Sequence, residues 1–95
     1  MKILHVTTAP AWEAAQASGA ITVDETGGPF LHLCTPAQLD HVLSHWFAGV
    51  PDVVVLEVEA DELGDALRWE PGSAGEDDLF PHLYAPLPTA RCTRR

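Results

Sequence analysis

Positive charge is what this chain has least of. Five lysines and arginines stand against fourteen aspartates and glutamates, a formal net charge of −9. Phosphate backbones are neutralised by clustered Lys and Arg, so general nucleic-acid binding is excluded. Arg91, Arg94 and Arg95 all fall within the last five positions. They read as a frayed, solvated end, with a local anion contact as the alternative. Long apolar runs are missing too. No stretch reaches the ~18 residues that cross a bilayer, so no membrane partner is expected. The start, MKILHVTTAPAWEA, has no secretory h-region. Cysteine is scarce, and Cys34 and Cys92 lie too far apart in sequence to suggest a disulfide framework. The expected compartment is the cytosol, with both thiols reduced. Cys34 reads as a small buried residue in preference to a nucleophile. There is no repeat, low-complexity block or linker. The 95 residues therefore make one domain, 1–95, with a single core that needs neither metal nor disulfide.

The apolar pattern then gives the elements. Residues 2–7, KILHVT, alternate as a strand, with Ile3, His5 and Thr7 on one face and Leu4 and Val6 on the other. A helix follows from Pro10 to Ser18, closed by Gly19. DETGGP, 24–29, is a loop. FLHLC is a short strand with Phe30, His32 and Cys34 on one side. Thr35 is a good N-cap, Pro36 a good first helical residue, and Gln38 stands three after the cap. Leu39, Val42, Leu43, Trp46 and Phe47 continue as one apolar helix face over 36–47. DVVVLEVEA is a buried central strand, rich in β-branched residues. DELGDA is a turn. LRWE sets Leu67 and Trp69 opposite Arg68 and Glu70. PGSAGEDD is a polar loop. FPHLYAPLP and a last short strand in TARCTR close the chain. The expected fold is α+β: a mixed sheet with two main helices packed on it.

Chemistry concentrates at histidines in stiff settings. His5 shares a strand face with Thr7, and a neutral imidazole offers one donor and one acceptor to a ribose or phosphate. His32 stands three residues before the Thr35-capped helix start, whose N–H groups suit an anion. His82 follows Pro81, which fixes the backbone, and Tyr84 lies two residues on. Each also reads as a satisfied structural residue. Glu70 beside Trp69 is either an acid–base carboxylate with a raised pKa or half of a solvated Arg68–Glu70 surface. Glu57, in the central strand, is partnered or at the sheet's end, with surface exposure the plainer view. His41 and His45 have metal-chelating spacing, but HVLSH lacks the glutamate of HExxH, and a solvated face is the default. Nothing in the spacing brings His5, His32 and His82 together on zinc.

Four blocks, LHVTTAPAWEAA, FLHLCTPAQL, VVVLEVEADELGDALRWE and FPHLYAPLP, resemble in order the family catalogued as domain of unknown function 952. The resemblance spans nearly the whole chain. It implies an ADP-ribosyltransferase-like fold, with a curved, split β-sheet and a cleft for a nicotinamide dinucleotide. Within that fold, the branch resembling RNA 2′-phosphotransferases lines the cleft with histidines on the first strand and the next core strand. His5 and His32 match those positions. A third catalytic position is open between Glu70 and His82.

The leading reading is a domain that binds an NAD-like or other phosphate-bearing nucleotide, with transfer of ADP-ribose as the implied reaction. His5 and Thr7 would hold ribose or amide, and His32 and Thr35 phosphate. Trp69 or Tyr84 would stack on a ring. The alternatives are a non-catalytic small-anion or protein-interaction module and a His-metal hydrolase.

Overall fold

The computed structural model of the protein describes residues 1–22, 29–72 and 78–95. Strand β1 (Lys2–Thr8) lies antiparallel to a later strand, Val53–Glu59, in unbroken register from Lys2↔Glu59 to Thr8↔Val53. Between them in sequence come helix α1 (Ala9–Ser18), β2 (Ala20–Ile21), β3 (Leu31–His32) and helix α2 (Leu39–Trp46). Val53–Glu59 is thus β4. It is followed by β5 (Leu67–Pro71), β6 (Leu79–Leu83), β7 (Leu87–Pro88) and β8 (Thr93–Arg94). The strands form three sheets, ordered β1-β4-β8, β3-β6-β5 and β2-β7. Every pairing among the described residues is antiparallel. The mixed sheet expected from the sequence is therefore corrected. Among these pairs only β5 and β6 are joined by a short, hairpin-like return; the other pairs are far apart in sequence, where connection length allows either sense and local pattern does not decide it. The Cα radius of gyration, 12.3 Å, is that of one compact unit of this length. The fold is a small single-domain α+β arrangement.

The two larger sheets meet at one point. Leu33 N–H donates to the Pro81 carbonyl on β6 at 3.0 Å. One residue on, Leu4 and Cys34 exchange both backbone hydrogen bonds, at 2.7 and 2.8 Å. The chain at 31–34 thus leaves β6 and joins β1. Burial follows the same division. Ile3, Val54, Leu56 and Val58 pack with Trp12 and Ala15 of α1 and with Leu31, Leu33 and Leu83. Leu4, Cys34 and Phe80 form a second cluster, against Leu39 and Val42 of α2. β1 is therefore buried on both faces, and no residue from Ile3 to Val6 is more than 8% exposed.

Local chemistry explains the helices. α1 starts at Thr8, whose Oγ1 accepts from Ala11 N–H, and stops at Gly19 in the left-handed region (φ 96°). The helix expected over 36–47 divides into a 3-10 turn, Pro36–Gln38, and α2. The Thr35–Gln38 capping box fixes its entry, with Gln38 Oε1 accepting from Thr35 N–H at 2.9 Å. No residue of α2 is fully buried, and Trp46 is 52% exposed. DELGDA is a 3-10 segment within Ala60–Ala66, kinked at Gly64 (φ 62°). The C-terminal residues are not frayed. Arg95 N–H donates to the Val55 carbonyl at 2.8 Å, Arg95 pairs with Glu57 at 3.7 Å, and Arg91 pairs with Glu62 at 3.2 Å. Glu57 is thereby partnered. Most of the DETGGP and PGSAGEDD loops, 24–28 and 73–77, lies outside the described residues.

Leu4 has no solvent exposure and anchors the second cluster beside the sheet junction. Leu4→Ala should lower unfolding free energy in urea by about 2–5 kcal/mol.

Candidate functional site

The junction places the histidines. His5, on β1, is 3% exposed, and its Nδ1–H donates to the His32 carbonyl on β3 at 2.9 Å. A carbonyl only accepts, so Nδ1 carries the proton. His32 and His82 are direct partners across the β3–β6 ladder, which sets them on one sheet face. Their rings meet edge-on at 5.5 Å. Arg68 on β5 stands opposite His82, and Glu70 opposite Phe80, so these side chains share that face. His82 is 3% exposed, and its Nδ1–H donates to Glu70 Oε1 at 2.9 Å. The Tyr84 hydroxyl donates to the same oxygen at 2.6 Å. Phe30 stacks on the His82 ring at 4.0 Å with planes 20° apart, and lies 4.7 Å from His32. The Arg68 guanidinium lies 4.8 Å over the Tyr84 ring.

An open cleft of about 480 Å³ runs past this group. His5, His32 and His82 line it together with Thr7, Thr8 and Cys34. Its apolar wall includes Leu4, Phe80 and, from α2 and its C-terminus, Val42, Trp46 and Phe47. That explains the incomplete burial of the α2 stripe: part of it faces the cleft and not the sheet. Among the described residues, no lysine or arginine lines this space.

Electrostatics separate the ionisable groups. The Tyr84 hydrogen bond, and next the one from His82, hold the Glu70 carboxyl below its ordinary range. This is opposite to the raised pKa that a neighbouring Trp69 suggested. The same bond to Glu70 pushes the Tyr84 phenol up. Loss of hydration, then repulsion from His82, keeps His32 below its ordinary value, although the residue is exposed at one side. Burial pushes the Cys34 thiol up to about 11, with Arg95 pulling weakly the other way.

The residues expected from sequence divide cleanly. His5, Thr7, His32 and His82 meet at the cleft. Glu70 and Tyr84 stand behind His82. Glu70 and His82 are therefore one hydrogen-bonded unit, where the sequence left them as alternatives. Thr35 is not on the cleft wall: its Oγ1 accepts from Gln38 N–H at 3.3 Å, and Gln38 takes up the Thr35 N–H. The cap itself thus occupies groups that a phosphate would have used. Trp69 pairs with Pro81 and faces the side of β5 opposite Arg68 and Glu70, away from His82. His41 and His45 stack on each other at 5.3 Å on an exposed turn of α2. Among the described residues, no three His, Cys, Asp or Glu side chains converge on a metal position. Sequence reading missed Phe30 and the cleft side of α2. Strand alternation already put Phe30 on the His32 face.

Fold and cleft define a small antiparallel α+β domain with a histidine-lined cleft. The pattern of a protein family of unknown function, DUF952, matches residues 6–94, and the chain belongs to that family. No curated protein matches it. The crystal structure of protein CC0527 from Caulobacter crescentus is similar at 36% identity and TM-score 0.84, over 99% of this chain and 82% of that one. A double-mutant crystal form of CC0527 gives 33% identity and TM-score 0.86 over the same shares. Its solution NMR structure gives 38% and 0.79, over 98% of this chain and 80% of that one.

Two outcomes follow from these environments. With its pKa near 11, Cys34 should react with a thiolate-selective disulfide reagent at pH 8 roughly 100-fold more slowly than free cysteine until the protein is unfolded. Glu70's folded pKa is depressed, so its stabilising contribution is present above the ordinary 4.5 and is lost as pH falls through the folded value. The urea-midpoint gap between wild type and Glu70→Ala should be widest near pH 7 and shrink toward pH 3.

Proposed function

We propose that the cleft binds the ring-and-ribose part of an NAD-like nucleotide, on an ADP-ribosyltransferase-like fold. The observation that carries this reading is the meeting of His5, His32 and His82 from three strands along one cleft of about 480 Å³. That volume suits a small ligand, and the mixture of apolar wall with a few aimed polar groups is what such sites use. Phe80, Trp46 and Phe47 offer apolar surface to a planar ring. Thr7, His5 and His32 offer hydrogen bonds to ribose hydroxyls. The phosphates would lie toward the open side, since among the described residues no lysine or arginine lines the interior. Transfer of ADP-ribose is the reaction this reading implies.

The lack of lysine and arginine among the described lining residues and the −9 charge favour one second reading, a non-catalytic module for a less charged ligand. Histidine-resolved proton NMR separates the two. On adding NAD, the signals of His5, His32 and His82 should move together while His41 and His45 stay in place, and His32→Ala should weaken NAD binding at least tenfold. Unmoved signals with NAD, ADP-ribose and phosphate alike would end the nucleotide reading. Binding without turnover would leave the non-catalytic module.

A further inference from the structure

The bonds around His82 bear on chemistry as well as binding. We propose that His82 is the proton-transfer residue of the cleft, and that Glu70, itself bonded by Tyr84, is the positioning residue that aims it. The identity of its ligand rests on the nucleotide reading, but its geometry does not.

An ionised carboxylate only accepts, so the 2.9 Å bond between His82 Nδ1 and Glu70 Oε1 puts a proton on Nδ1. Proton exchange is then left to Nε2, on the other side of the ring. His82 lines the cleft, whereas Glu70 and Tyr84 do not. Two donors on one oxygen, at 2.9 and 2.6 Å, pin the carboxylate between β5 and β6. Phe30, stacked at 4.0 Å, blocks rotation of the ring about its face. The nearby ionisable groups on that face are His32, whose pKa is held down, and Arg68 over Tyr84. Glu70 is thus the anion in direct contact with the imidazole.

The step balances simply. An O–H bond of the ligand or of a water breaks, its electron pair stays on oxygen, and an N–H bond forms at Nε2. The resulting imidazolium is opposed by the Glu70 carboxylate. The reverse transfer delivers the same proton to a leaving group. Such carboxylate-backed histidines serve as general acids and bases because one nitrogen is locked while the other exchanges.

Long-range ¹⁵N NMR of the imidazoles in the ligand-free protein tests this directly. In neutral His82, Nδ1 should appear protonated and Nε2 unprotonated. Glu70→Ala should populate the opposite tautomer, and added formate should restore the first. Tyr84→Phe, which leaves the Glu70 acceptor in place, should keep it. A wild-type His82 protonated on Nε2 alone would overturn the proposal without any variant. An unchanged tautomer in a folded Glu70→Ala protein would overturn it too. NAD is then added to the wild type. If it moves none of the cleft histidines, the nucleotide reading falls, while the tautomer still decides this proposal.

Discussion

The structure turns on the junction where the chain at 31–34 passes from one sheet to the other. Two backbone bonds between Leu4 and Cys34, and the bond from His5 Nδ1–H to the His32 carbonyl, tie β1 to β3. Each such bond contributes only about 1 kcal/mol net. Their importance is geometric. They bring β1, with its buried histidine, beside a ladder that already holds His32 against His82. If the sheets parted there, the two halves of the cleft would lose their shared wall.

Packing around the junction is unequal, and the inequality makes room for the cleft. The α1 side forms the larger core, with Ile3, Leu31, Leu56, Leu83 and Leu87 fully or almost fully buried. Among the described residues, the α2 side buries Leu4, Cys34 and Phe80, with Leu39, Val42 and Val55 partly buried against them. Some apolar surface of α2 therefore remains open, which forgoes part of the ~25 cal/mol per Å² that burial provides. A protein that closed this gap would be more stable and would have no cleft.

Much of this was legible in the sequence. α1 and its caps, the β-branched centre of β4 and the capping box at Thr35 are local signals, written within a few residues of one another. Strand parity put Phe30 with His32, and it separated Trp69 from Glu70. What parity could not supply was which strands pair. The face-sharing of His32 with His82 depends on the β3–β6 register, and the joining of His82 to Glu70 on that of β6 with β5. The first joins strands far apart in sequence; the second depends on the exact register of the β5–β6 return, with Glu70 and His82 12 residues apart. The Thr35 helix start shows the limit in another way. Its N–H groups looked available for an anion, yet the same Thr35–Gln38 spacing that marks a capping box commits the Thr35 N–H to Gln38 Oε1, and that consequence went undrawn. The C-terminal arginines, few and late, looked frayed because the partners of Arg95 and Arg91, Glu57 and Glu62, lie more than twenty residues upstream; that they are solvated holds, since all three remain exposed.

The alternation along β6 makes the site tolerant of some changes and intolerant of others. Phe80, His82 and Tyr84 reach one face only because single residues separate them. A change of side chain on the opposite face, at Pro81 or Leu83, alters packing but leaves the sequence of faces intact. Deletion of one residue between Phe80 and Tyr84 does the reverse. It would rotate everything beyond it by half a turn and part Tyr84 from Glu70, even if every remaining side chain were unchanged. For this domain, the count of residues in a five-residue strand is as much a part of the site as the residues themselves.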